Sequence, residues 1–91
     1  MRKEVFTSEQ VQSIFRTFYD LYFENINETD WYYIVIDTNN VQAIRATKDL
    51  ELLEDRYILI PVPSSKTEDA TEAKTICIRI LEDFFKVELK I

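Results

Sequence analysis

"WYYIVIDTNNVQAIRAT", residues 31–47, is the stretch that decides the fold of this 91-residue chain. Two runs rich in aromatic and β-branched residues, WYYIVID and VQAIRAT, flank the pair Asn39-Asn40. Such runs are typical of β-strands, and asparagine tolerates the positive φ angles that a tight turn demands in a chain without glycine. The stretch therefore predicts a β-hairpin with the Asn pair in its turn. A helix beginning near Val41 remains an alternative for the second run.

A helix is predicted before the hairpin. Thr7 and Gln10 form the pattern of a capping box, and apolar residues then recur at helical spacing from Val11 to Ile26. We expect this helix to span Ser8 to Glu24. The polar residues of NINETD, 25–30, then favour a turn.

The hairpin is followed by a charged segment and a third strand. TKDLELLEDR, residues 47–56, fits either one or two helical turns or a solvated connection. YILIPV, residues 57–62, is continuously apolar, which predicts a strand at the sheet centre or one covered on both faces. Pro61 cannot donate to a ladder, so regular pairing is expected to fail on its side or near it.

The last predicted helix has the clearest boundaries. Ser65 with Glu68 forms a second capping box pattern, and an apolar stripe runs from Ala70 to Phe84. The helix is expected to end near Lys86. In the tail, residues 87–91, apolar and polar residues alternate, which fits a short strand that pairs at a sheet edge and offers a route to dimerisation.

These elements predict a single small α+β domain, residues 1–91, in two layers. Its sheet is antiparallel and three-stranded, or four-stranded if the tail pairs, with an N-terminal and a C-terminal helix. The order is α-β-β-(short α or turn)-β-α, followed by a final β in the four-stranded case. A helix followed by a hairpin is similar in element order to roadblock, longin and profilin-like domains.

The acidic residues are unevenly distributed. The net charge is −6, and residues 24–55 contain eight acidic residues against Arg45 and Lys48. Nucleic-acid binding depends largely on Lys and Arg that displace counterions from phosphates, so direct binding is disfavoured. A basic protein partner is favoured instead, because opposite charge accelerates association.

Several kinds of chemistry lack their usual residues. The chain has no histidine and no glycine, which disfavours zinc, haem, serine-triad and phosphate-loop sites. Its single cysteine, Cys77, falls in the apolar stripe of the last helix and is predicted to be a core thiol. No apolar run is long enough to span a membrane and no signal core precedes residue 10, which predicts a soluble, cytoplasmic protein. The missing residue types predict that it has no cofactor or metal.

Asp37-Thr38-Asn39, at the end of a predicted strand, resembles the start of the metal site in PIN-type nucleases. That resemblance implies further carboxylates brought together from distant elements to hold two metal ions. PIN-type nucleases begin with this strand and need a longer alternating layout, whereas here a helix comes first. Asp37 is therefore predicted to be a turn residue, and a metal-dependent nuclease with Asp37 as a ligand is the third hypothesis.

The leading hypothesis is a small acidic, non-catalytic protein-binding module of phage or mobile-element origin. It is expected to regulate or inhibit a nucleic-acid-handling protein by engaging a basic surface. The second hypothesis is a homodimeric structural or assembly subunit. Under the leading hypothesis, carboxylates provide steering and hydrogen bonds while exposed aromatic residues anchor the contact. The predicted binding residues are Asp49, Glu51, Glu54, Asp55, Trp31 and Tyr33.

Overall fold

A computed structural model describes residues 6–27, 30–49, 54–63 and 69–90. The predicted α+β class and element order are confirmed. The sheet has the strand order β2-β1-β3, and both neighbouring pairs are antiparallel. The elements are α1 (Ser8–Glu24), β1 (Tyr32–Asp37), β2 (Gln42–Thr47), β3 (Tyr57–Val62) and α2 (Ala70–Phe85).

Helix α1 begins and ends where the sequence predicts. The Gln10 amide donates to Thr7 Oγ1 over 3.2 Å, and the Thr7 amide donates to Gln10 Oε1 over 2.9 Å. This reciprocal capping box satisfies two N–H groups that the helix itself cannot pair. Beyond the cap, one face of α1 is buried, and its members are Val11, Ile14, Phe18 and Tyr22.

Both helices cover the same face of the sheet, so the domain has two layers. The side chains of Tyr32, Ile34 and Ile36 in β1 point toward the helices and into the core. They form one core with the buried faces of both helices and with the inner side of β3. The members of this core outside β1 and α1 are Phe6, Ala43, Ile60, Val62, Ala73, Cys77, Leu81 and Leu89.

The central strand is β1, whereas β3, for which the sequence predicts either a central place or cover on both faces, lies at the edge. Ile60 in β3 faces the core, but Tyr57 and Leu59 on the opposite face are only half-buried. Val35 in β1 is fully buried although it points away from the helices. An apolar run cannot distinguish these two positions, because strand order depends on pairing between distant segments.

The free edge of β3 offers few backbone donors. The Thr38 amide donates to the Arg56 carbonyl over 2.8 Å. Because backbone groups alternate in direction along an antiparallel pair, the backbone groups of Tyr57, Leu59 and Pro61 then point away from β1. Pro61 has no N–H, and the Tyr57 amide donates to Glu54 O over 3.0 Å. Pairing with β1 continues through Pro61. The outer edge of β3 therefore keeps at most the Leu59 donor.

The hairpin turn differs from the prediction. Asp37 pairs with Gln42, so residues 38–41 form a four-residue loop, and its positive φ falls on Val41, at 54°, rather than on the Asn pair. Positive φ at both central residues is a requirement of the type I′ turn of a two-residue loop, and this loop has four residues. A β-branched residue in the left-handed region costs about 1–2 kcal/mol, so the loop stores strain at Val41.

A hydroxyl group joins α1 to the outer edge of β2. Thr17 Oγ1 donates to the Ile14 carbonyl over 3.1 Å and accepts the Ala43 amide over 2.8 Å. Ala43 is buried, so its N–H depends on this partner. The contact fixes α1 against the half of β2 that follows the turn.

Replacing Thr17 by valine is expected to lower the free energy of unfolding by about 1–2 kcal/mol, because the isosteric side chain leaves the buried Ala43 N–H without an acceptor. Thr17→Ser keeps the hydroxyl and is the matched control. Urea denaturation followed by circular dichroism measures both. Equal stabilities for Thr17→Val and Thr17→Ser would show that the hydroxyl bridge contributes nothing.

Helix α2 starts later than predicted. Its N-cap is Asp69, whose side chain accepts the Thr71 amide over 2.9 Å. The predicted capping pair, Ser65 and Glu68, lies outside the described residues. The end near Lys86 is confirmed, since Lys86 is the C-cap in a left-handed conformation. Buried Cys77 is a core thiol as predicted, and burial raises its pKa to about 12.

The tail is not the predicted strand. Residues 87–90 have no strand pairing, and the Leu89 amide donates to Glu82 Oε2 over 2.9 Å. The Leu89 side chain is buried in the core. The left-handed Lys86 turns the chain back over the end of α2, so these residues pack on the core rather than extend the sheet.

Candidate protein-binding surface

The structure divides the predicted binding residues between opposite ends of the sheet. Thr47, which ends β2, lies opposite Tyr33, whereas Tyr57, which starts β3, lies opposite Asp37. Tyr33 and Asp37 are four residues apart on β1, a distance of about 13 Å. Asp49 therefore lies at one end of the sheet and the pair Glu54-Asp55 at the other. Glu51 lies outside the described residues, as do residues 50, 52 and 53 of the same charged segment.

The end where β1 begins and β2 ends, here called the Trp31 end, combines aromatic and acidic side chains. Trp31 is 61% exposed, and Asp30, which precedes it, and Asp49, which follows the end of β2, are also exposed. The Asp49 amide donates to Thr47 Oγ1 over 3.2 Å. Lys48 Nζ lies 3.9 Å from Asp30 Oδ2 and ties β2 to the start of β1. Asp30, Lys48 and Asp49 thus lie at the same end of the sheet as the exposed indole.

Two features of the Trp31 end were missed from sequence. Glu24, exposed in the last turn of α1, is followed by Asn25, which lines an open cavity at this end. An acidic residue at a helix C-terminus is opposed by the helix dipole, and that signal was readable from sequence once the helix was placed. The cavity depends on packing between elements and has no sequence signal. Its volume is about 200 Å³ and its lining is Asn25, Tyr32, Ala46, Thr47 and Lys48.

The opposite end, here called the hairpin end, is organised by Asp37. Its Oδ1 accepts the Asn39 amide over 3.0 Å, and its Oδ2 accepts the Asn40 side-chain amide over 2.8 Å. Arg56 lies 3.4 Å from Oδ2 and places its guanidinium over the Tyr57 ring, 4.9 Å from the centroid. Asp37 thus acts as the turn residue that the sequence predicts, with both oxygens engaged by the chain itself.

These partners set the protonation of Asp37. Burial raises the pKa of this carboxyl, but the hydrogen bonds from Asn39 and Asn40 and the charge of Arg56 act in the other direction. Together they outweigh burial, so the pKa of Asp37 lies below the usual value of 3.8. The carboxylate of Asp37 is therefore ionised in the folded protein near neutral pH.

Asp37→Asn is expected to destabilise the fold in a pH-dependent way. A depressed folded pKa contributes stability above the unfolded pKa of about 4, and this contribution is lost as the pH falls through the folded pKa. The gap in urea midpoint between wild type and Asp37→Asn should therefore be largest near pH 7 and shrink below about pH 4. A gap that stays constant from pH 7 to pH 3 would contradict the ionised turn. Asn39→Ala, which keeps the backbone donor, is the control.

The comparisons give no family for this chain. Against protein-family profiles, curated proteins and solved structures, it shows no significant similarity. Over the described ranges, no three His, Cys, Asp or Glu side chains lie close enough together to hold a metal ion. In the same ranges, neither helix is long and apolar enough to cross a membrane.

Proposed function

We propose that this protein is a non-catalytic protein-binding module whose Trp31 end engages a basic surface of a nucleic-acid-handling protein, as a regulator or inhibitor. The observation that carries the proposal is Trp31, a large side chain left 61% exposed at the end of the sheet that also has the exposed residues Asp30 and Asp49. Tryptophan is enriched among residues that dominate binding energies, and such residues are commonly surrounded by a polar rim.

The charge of this end supports a basic partner. Glu24, Asp30 and Asp49 are all exposed, and the ammonium of Lys48 is paired with Asp30. A surface of this sign attracts a surface that normally accepts phosphates and accelerates the encounter, with an effect that salt weakens.

Glu24 occupies a position where a negative charge lowers the stability of the helix. The last turn of α1 has no basic residue, so the carboxylate faces the negative end of the helix dipole. A lysine there would stabilise the helix by about 0.3–1 kcal/mol. Glu24→Lys is therefore expected to raise stability while it weakens binding, which separates a functional charge from a structural one.

The test is capture of partners from a lysate of the source cell or its host on immobilised wild type and variants. Trp31→Ala should reduce retention of a basic partner at least tenfold, and Phe23→Ala, 41% exposed on α1, is the aromatic control. Glu24→Lys with Asp49→Lys should release the partner, whereas Glu54→Lys with Asp55→Lys, which changes the net charge equally at the hairpin end, should not. Equal loss from both double variants would indicate a general charge effect and contradict a localised site.

A second candidate, a homodimeric assembly subunit, is supported by the aromatic stack on α1. Phe15 and Tyr19 lie 5.9 Å apart and Tyr19 and Phe23 5.8 Å apart, with Phe23 exposed at the end of the row. Light scattering after size exclusion distinguishes the candidates. A mass of one chain at all concentrations removes the homodimer, and a dimer that Phe23→Ser dissociates supports it.

A further inference from the structure

The outer edge of β2 has two unlike halves. On β1, the backbone N–H and C=O groups of residues 34, 36 and 38 point toward β3, so those of residues 33, 35 and 37 point toward β2. The outward positions of β2 are therefore Ala43, before the bulge at Ile44, and Ala46 after it. The Ala43 N–H donates to Thr17 on α1. The N–H and C=O of Ala46, by contrast, point outward, and Ala46 lines the cavity at the Trp31 end.

The cavity has the size for one side chain. Its volume is about 200 Å³, below the roughly 300–1,000 Å³ of most small-molecule sites and above the roughly 150 Å³ that holds benzene in a protein core. Tyr32 and Ala46 line it with apolar groups, and Asn25, Thr47 and Lys48 add polar ones, with the Lys48 ammonium 3.9 Å from Asp30 Oδ2. An aliphatic side chain of leucine size suits this space.

Position and charge narrow the occupant to an extended basic polypeptide. A strand edge with an outward N–H and C=O is the complement of another extended backbone, and pockets beside such an edge select alternate side chains. Exposed Glu24 and Asp49 are the sequence neighbours of the lining residues Asn25 and Lys48, and exposed Asp30 pairs with Lys48, so carboxylates at this end favour Arg or Lys flanking the buried side chain. On β2 as on β3 the outer edge keeps one donor, Ala46 or Leu59, so the choice of the Ala46 edge rests on the cavity and the carboxylates beside it.

We propose that the β2 edge at Ala46 receives an extended basic segment of the partner, which adds a short strand, places one aliphatic side chain in the cavity and sets its Arg or Lys residues against the surrounding carboxylates. This inference rests on the proposed function and specifies how the partner docks. Main-chain hydrogen bonds to Ala46 supply the register, and the cavity supplies the selectivity.

The probe is the peptide acetyl-Arg-Thr-Leu-Thr-Arg-amide, titrated into ¹⁵N-labelled protein and followed by NMR. Saturable shifts are expected at the amides of Asn25, Thr47 and Lys48, with a millimolar dissociation constant. Replacing the peptide's leucine by glycine should weaken binding about tenfold, since roughly 1.5–3 kcal/mol accompanies full burial of such a side chain and the cavity is open. N-methylation of that leucine and replacement of both arginines by glutamates should each abolish the shifts.

Two protein variants test the edge itself. Ala46→Pro removes only an outward N–H, as Pro61 does in β3, and should weaken peptide binding about fivefold because one hydrogen bond is lost. Ala46→Leu fills the cavity and should exclude the peptide's leucine without removing the backbone donor. Thermal unfolding verifies that both variants are folded, and Ala46→Leu carries the test if Ala46→Pro is not.

Shifts spread over the surface, or shifts that both Ala46 variants leave unchanged, would overturn the docking proposal. Absence of any shift up to the solubility limit of the peptide would overturn it as well. Partner capture that still depends on Trp31 would then show that the binding function stands and that only the edge docking is wrong. If neither the peptide-induced shifts nor the Trp31-dependent capture of a partner is observed, the proposed function is wrong as well.

Discussion

Replacing Phe18 by alanine is expected to lower the free energy of unfolding by about 3–5 kcal/mol. Phe18 is fully buried on α1 and belongs to the core that both helices share with the sheet. Removing the ring loses the free energy of its burial. It also leaves a cavity that the surrounding core side chains close only in part. A chain of 91 residues has a total stability of about 5–14 kcal/mol, so this one change removes a large part of it.

The measurement is urea denaturation at 25 °C, followed by far-ultraviolet circular dichroism. Phe23→Ala is the matched control, because it removes the same side chain from the same helix at a position that is 41% exposed. Its loss should be about 0.5–1.5 kcal/mol, from the stacking contact with Tyr19. Similar losses for Phe18→Ala and Phe23→Ala would mean that the buried face of α1 is not the one described.

The elements with local signals were predictable from sequence. Helix α1 has a reciprocal cap at Thr7 and Gln10 and a regular apolar stripe, all within one continuous segment. The predicted and observed bounds of α1 consequently agree. The strands of the hairpin were recognised for a similar reason, since β-branched and aromatic residues fill both of them.

The errors concern features that depend on distant residues. The central place of β1 follows from pairing with β2 and with β3, which no single run of residues encodes. The positive φ fell on Val41 because Asp37 binds the Asn39 and Asn40 donors and stabilises a longer loop. Asp69 rather than Ser65 caps α2, where two cap patterns compete within five residues.

The candidate surface was predictable in kind but not in place. Trp31 and Asp49 were identified from their residue types, and the structure keeps them at one end. Glu54 and Asp55 were grouped with them because they are near Asp49 in sequence. The strand order separates them, since the chain must pass from the end of β2 to the start of β3 at the other end of the sheet.

The tail shows how an alternating pattern can be misread. Val87 and Leu89 alternate with charged residues, as in a half-exposed strand, yet the same spacing also serves a chain that folds back over a helix end. Lys86 makes the reversal with a φ of 58°, and Glu82 accepts the Leu89 amide over 2.9 Å. These contacts bring Leu89 to the core, where it is 8% exposed.

Leu89→Ala is therefore expected to cost about 2–3 kcal/mol, at the lower end for a core leucine because part of the side chain reaches the surface. Lys90→Ala, exposed in the same segment, should change the stability by less than about 0.5 kcal/mol. Hydrogen exchange adds an independent readout, since a Leu89 amide bound to Glu82 should be protected and Glu82→Ala should remove that protection. A Leu89→Ala variant as stable as Lys90→Ala, with an unprotected Leu89 amide, would mean that the tail does not fold back. Its residues would then again be available for strand pairing between chains, and the homodimer would gain the edge that the folded-back tail denies it.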